Sequence, residues 1–100
     1  MTTIAEIQQA VSTYFAIPMI EMKSARRGRD AAHARQIGIY LARELTAHSL
    51  PMIGREFGKR DHTTVIYGIR AVEGRMQRAG FRRNIEMLRA KLAPESVEAA

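Results

Sequence analysis

The sequence predicts an all-α fold, a small helical bundle containing a helix-turn-helix. Three observations predict it. Across the 100 residues every apolar stripe recurs at i, i+3, i+4 or i+7, and no alternation of period two persists. The stretch Gly58-Lys59-Arg60-Asp61-His62-Thr63-Thr64-Val65 joins two such stripes through a short basic turn. Cysteine is absent, so no disulfide framework and no thiolate metal site stand in for a core. The hydrophobic share, 46%, is enough for one thin core in a single small domain.

The first helix is expected over about Thr3 to Phe15, where Ile4, Ile7, Val11 and Phe15 share a face and Thr2 or Thr3 can cap. Ile17-Pro18 breaks it. Pro18 to Met22 supplies one further turn whose Met and Ile close the end of the core. This segment reads as scaffold. Lys23-Ser24-Ala25-Arg26-Arg27-Gly28-Arg29 is a basic loop, and Asp30 can cap the helix that follows. Ala34, Ile37, Leu41 and Leu45 form that helix's buried stripe; Ala31 and Gly38 permit close contact, and Arg35, Arg43 and Glu44 face out. Thr46-Ala47-His48 is a turn. Ser49 caps a short helix with Pro51 in its first turn, where a missing N–H costs nothing. Met52, Ile53 and Phe57 look inward, and Gly58 ends the helix through a positive φ.

Asp61 is a good N-cap for the next helix, which runs to about Met76 on the stripe Val65, Ile69, Val72, Met76. A basic turn thus delivers the polar first turn of a helix whose body is anchored in a core. A helix-turn-helix presents its second helix to a major groove in this way. An ordinary capped helix would begin the same way. Gly68 is read as close packing against a neighbour. Gln77-Arg78-Ala79-Gly80 ends the helix, and Phe81 to Leu92 forms a last one with Phe81, Ile85, Leu88 and Leu92 on one side. Residues 1–93 make the domain and 94–100 a flexible tail.

The charge is unevenly placed. Sixteen Lys and Arg against ten Asp and Glu leave +6, and residues 1–22 hold none of the basic side chains. Lys23, Lys59 and Lys91 are the only lysines, so thirteen of the sixteen are arginine, the residue suited to forked contact with phosphate or guanine. A polyanionic partner follows; solvated helix faces are the plainer alternative. No apolar run approaches the ~20 residues that span a bilayer, and no secretory signal opens the chain.

Catalytic chemistry finds no support. Gly54-Arg55-Glu56-Phe57-Gly58-Lys59-Arg60 imitates a phosphate-binding loop but has three residues between its glycines rather than four, and Arg60 where a Ser or Thr must reach Mg²⁺. His33, His48 and His62 are scattered, without a metal-type pair. Asp61 and His62 are adjacent and project apart. A binder is expected, not an enzyme, with no cofactor, no metal and no nucleotide.

Leu50 to Ile66, reading LPMIGREFGKRDHTTVI, resembles the signature of the C-terminal DNA-binding domain (domain IV) of the bacterial replication initiator DnaA, and the resemblance extends from about Ile4 to Met76. It implies a Trp-repressor-like helix-turn-helix that binds double-stranded DNA at sites of the TTATCCACA type. Asp61 would accept from a cytosine amino group, since its charge repels phosphate. His62 and Thr63 would touch a thymine methyl or a base edge, and Thr64 a phosphate at the helix N-terminus. Lys59 and Arg60 would clamp phosphates. The resemblance adds Leu50 and Pro51 as apolar contacts, Arg35 and Arg43 on the DNA backbone, and Arg27 in the minor groove, with Arg26 or Arg29 as substitutes. The chain departs from the pattern at Ala34, where the family has proline, and at Tyr67-Gly68, where it has His-Ala.

The resemblance implies a cytoplasmic, nucleoid-associated protein that regulates or competes in replication initiation or transcription, with replication-regulatory proteins as further partners. Met1 lies close to the first helix, as expected of a complete small protein. An excised domain of a full-length initiator, or a helical protein-interaction module, are the other readings.

Overall fold

The computed structural model describes residues 2–23 and 28–92. Arg26, Arg27 and the expected tail at 94–100 lie outside them. Among the described residues six helices follow one another: α1 Ile4–Phe15, α2 Met19–Met22, α3 Arg29–Leu45, α4 Leu50–Glu56, α5 His62–Arg75 and α6 Ala79–Leu92. Among the described residues no strand occurs, as the periodicity required.

Helix α1 starts where a complete capping box forms. The Thr3 side chain accepts from the Glu6 N–H, and the Glu6 carboxylate accepts from the Thr3 N–H. Ala16 ends α1 in the left-handed region at φ 55°. Helix α6 returns antiparallel along α1: the Thr2 hydroxyl donates to the Leu92 carbonyl at 2.8 Å, and the Tyr14 hydroxyl to Asn84 Oδ1 at 2.9 Å. Helix α3 is the central element. It packs on α1, α4 and α5 and buries Ala31, Ala34, Ile37, Gly38, Ile39, Leu41 and Ala42, a wider band than a single stripe.

The wider band has a cause in the neighbours. Helices press on α3 from more than one direction, so Ile39 and Ala42, off the expected stripe, are also covered. A Cβ on Gly38 would stand 2.7 Å from Phe57 Cε1, so the glycine lets the fully buried Phe57 ring seat against α3. Gln8 is buried on α1, yet its Nε2 donates to the Glu56 carbonyl at 2.8 Å. One scaffold side chain thereby satisfies a free carbonyl at the end of α4.

Four expectations need correction. Asp30 lies in the first turn of α3 and makes no cap; Gly28 holds the cap position. Met22 closes the core as expected, but Ile20 is 67% exposed, because a four-residue helix has only one buried side. Ala79 and Gly80 belong to α6 rather than to the stop before it. Gly68 is buried against Gln36, but a Cβ there would meet Gln36 Cγ at 3.5 Å, an ordinary contact, so packing does not demand glycine.

Candidate nucleic-acid interface

The α4–turn–α5 unit is built around an approach closer than van der Waals contact allows a side chain. The Arg60 N–H donates to the Gly54 carbonyl at 2.8 Å, folding the turn back on α4. A Cβ at Gly54 would fall inside the Arg60 carbonyl oxygen, so only glycine fits. Gly58 at φ 99° and Lys59 at φ 57° then carry the chain through two successive left-handed residues. That double reversal sets the angle between α4 and α5. Ser49 caps α4, its hydroxyl accepting from the Met52 N–H at 3.3 Å, with Pro51 in the first turn as expected.

Asp61 caps α5. Its Oδ1 accepts from the Thr64 N–H at 2.9 Å. That backbone bond, followed by a bond from the Thr64 hydroxyl, holds the carboxyl below its usual range. Asp61, His62, Thr63 and Thr64 are all exposed, while Val65, Gly68 and Val72 of the same helix are buried. The first turn is therefore presented to solvent on a helix whose body is fixed.

The basic side chains around this turn fall into two hollows that share Arg60. Pro51, Arg55, Lys59 and Arg60 line an open one on the α4 side. Arg35, Gln36, Arg60, Thr64 and Tyr67 line a cleft of about 70 Å³ between α3 and α5. Arg35 is not outward-facing as expected. It is 5% exposed, and its Nη1 donates to the Glu21 carbonyl at 2.7 Å, its stem crossing the inner edge of α3 to reach α2. Burial, then the nearby Arg60 charge, lowers its pKa, with Glu21 opposing. Arg60 is held by its own Nε–H, donated to the Phe57 carbonyl at 2.9 Å. Two arginines, each held by a backbone carbonyl, thus line the same cleft as Thr64.

The remaining expected residues are less concentrated. Leu50 is half-buried and packs on the core. Arg43 is exposed near the C-terminus of α3 and lines neither hollow. Arg29 is exposed at the other end of α3, where it and Arg75 act on His33; burial first, then these two cations, lower the imidazole pKa, with Asp30 opposing. Arg27 lies outside the described residues. Sequence reasoning missed Arg55 and Tyr67. Arg55 stands four residues after Pro51 on α4, a spacing that marked its face. Tyr67 is 67% exposed, one turn beyond Thr63 and Thr64, and an aromatic on that face was the available signal. Among the described residues no group of acidic and histidine side chains could hold a metal ion.

The fold and the exposed, cation-flanked first turn of α5 define a helix-turn-helix domain of the DNA-binding class. The family described as bacterial dnaA protein helix-turn-helix matches residues 4–72. The chain is 48% identical over 91 residues to the chromosomal replication initiator protein DnaA of Gluconobacter oxydans, covering 90% of this chain and 19% of that protein. It is 46% identical over 94 residues to the DnaA protein of Symbiobacterium thermophilum, covering 93% and 20%. A crystal structure described as a DNA replication initiation factor superposes with a TM-score of 0.82 at 33% identity, covering 92% of this chain and 28% of that one. The chain belongs to the family of bacterial DnaA C-terminal helix-turn-helix domains, and it spans about one fifth of the length of the relatives named, 19% and 20%.

Proposed function

We propose that the chain binds double-stranded DNA sequence-specifically, at sites of the TTATCCACA type, and that it regulates or competes in replication initiation or transcription by occupying them. One observation carries the reading. Four consecutive polar residues, Asp61 to Thr64, stand exposed at the N-terminus of a helix anchored at Val65, Gly68 and Val72. A major groove admits such a helix end, and the residue types suit its edges. Asp61 accepts from cytosine through the carboxylate edge that its cap leaves over. His62 and Thr63 meet thymine methyls or base edges, with Leu50 and Pro51 beside them. Phosphates fit the two hollows: one between Lys59, Arg55 and Arg60, the other against Arg60, Arg35 and Thr64. An anion in the second hollow would offset the mutual repulsion of Arg35 and Arg60. Arg43 and Arg29 would extend the backbone contact, and Arg27 would enter the minor groove at the A/T-rich end.

The relatives are named as chromosomal replication initiators. The work of those whole proteins is not assigned to this chain, which spans about one fifth of their length. The test is equilibrium binding of box duplex and scrambled duplex across a salt series. If about five cations neutralise phosphates, log K falls against log salt with a slope of roughly −4 to −5 for either duplex. The box duplex binds at least tenfold more tightly at every salt. Equal affinity for both duplexes would leave a non-specific binder.

A further inference from the structure

We propose that the corner between α5 and α6, formed by Arg78, Arg82 and Arg83, is a second and sequence-neutral DNA-docking surface. It takes the sugar-phosphate backbone of a different duplex from the one that the first turn of α5 reads, so that one chain bridges two duplexes. The proposal rests on the DNA-binding reading of the α4–α5 turn and extends it.

Charge and geometry point there together. From Arg75 to Arg83 the chain carries four arginines and no acid. Arg78, Arg82 and Arg83 are exposed, and among the described residues none of them pairs with a carboxylate; the ion pair on α6 is Arg89 with Glu44 at 2.6 Å. Two of the four arginines are held by hydrogen bonds, one to α3 and one within the corner. Arg75 Nη1 donates to Gln36 Oε1 at 3.0 Å, and Arg82 Nη1 donates to the Met76 carbonyl at 3.4 Å.

Folding uses Arg75 and Arg82 in these two bonds, but the start of α6 gains nothing from cations. Helix α6 has no acid in its first turn, and its N-terminal end is where the helix dipole disfavours cations. Such an arrangement is relieved by an external anion. The exposed residues of the corner are Gln77, Arg78, Ala79, Gly80, Arg82 and Arg83. No large apolar side chain stands among them to anchor a protein partner, whereas arginine forks match phosphate.

Distance separates the corner from the duplex read by Asp61 to Thr64. Helix α5 has 14 residues, which at about 1.5 Å each place its ends ~20 Å apart. A major groove is only ~8.5 Å deep. With α5 entering end-on, its N-terminus first and its axis directed at the groove floor, the corner stands clear of that duplex.

The test immobilises a short duplex carrying one box, saturates it with the protein, and offers a fluorescent duplex without a box. The wild type should retain the second duplex, and salt should release it. Combined Arg78→Ala, Arg82→Ala and Arg83→Ala should cut retention at least tenfold while leaving the box-to-scrambled affinity ratio within twofold. Arg82→Glu guards against a folding artefact: an acid at that end of α6 should hold or raise the melting temperature and still lower retention. Undiminished retention by either folded variant overturns the proposal, because bridging would then run through another surface, such as a dimer of reading faces. Absence of retention by wild-type protein that still binds its box also overturns it. Failure of the wild type to bind any single duplex would be a different result, ending the DNA-binding reading itself.

Discussion

Lys59 serves two ends that oppose each other. Its backbone sits at φ 57°, a region that favours glycine, while its exposed ammonium lines the hollow beside Pro51 and Arg55. A left-handed non-glycine residue costs on the order of 1–2 kcal/mol. Lys59→Gly should therefore stabilise the fold by up to ~1 kcal/mol in urea melts. It should also weaken box and scrambled duplex alike and make the salt slope shallower by about one. Unchanged binding would remove Lys59 from the phosphates. Asp61 caps α5, and under the proposed function it also reads a base. Asparagine caps nearly as well, so Asp61→Asn should leave the melt close to that of the wild type near neutral pH. An amide offers one acceptor where the carboxylate offers two, so discrimination for the box should fall. The acid limb tests the cap itself. The folded carboxyl sits below its unfolded value because Thr64 donates to it. Its stabilisation is complete above the unfolded value, near ~3.9, and is lost as pH falls through the lower folded value. Melts between about pH 2 and 5 should show this loss in the wild type and not in Asp61→Asn. At this scale the sequence showed residue types and helix faces but not where long side chains end. Arg35 was placed outward because periodicity assigns a face to a Cβ; its head travels several ångströms further, to Glu21.

The helix-turn-helix depends on one close backbone contact. Gly54 touches the Arg60 carbonyl, and no side chain fits between them. Gly54→Ala should cost on the order of 2 kcal/mol or more, because backbone rather than a flexible side chain must move. Thermal melts would register the loss, and a melt like the wild type's would mean that the turn does not fold back on α4. Gly68→Ala is the matched control, with an ordinary contact at 3.5 Å to Gln36 Cγ. Helix limits were largely legible, because they are set by local chemistry that a sequence displays: Thr3, Ser49 and Asp61 cap as expected. The exceptions share a cause. Asp30 and Gly80 carry local signals, for a cap and for a stop, that the residues just before them pre-empt: Gly28 holds the cap, so α3 opens one residue before Asp30, and α6 begins before Gly80. Gly54 showed no local signal at all, since its reason lies six residues away at Arg60.

As a whole, the molecule is a frame that holds one polar helix end outward. Helix α3 braces α4 and α5, and α1 with α6 braces α3. The polar residues reach across this frame: Gln8 from α1 to the end of α4, Arg35 from α3 to α2, Arg75 from α5 to α3. All-helical architecture and the place of the turn were legible because they follow from periodicity and caps. The grouping of Arg35 and Arg60 around Thr64 was not, since it joins three stretches far apart in the chain. The central claim is that the exposed first turn of α5 reads base sequence, and Thr63 tests it most directly. Thr63 is exposed and serves neither the buried stripe nor the cap. Thr63→Ala should leave the melt within ~0.5 kcal/mol and keep its affinity for scrambled duplex, which rests on phosphate charge. Loss of its base contact should cost on the order of 1–3 kcal/mol against the box. The decisive quantity is the ratio of box to scrambled affinity at one salt concentration, for wild type and Thr63→Ala. A ratio that falls from at least tenfold in the wild type toward one in a folded Thr63→Ala protein is the predicted result, and a ratio that stays at the wild-type value would mean that this turn is a helix cap and nothing more.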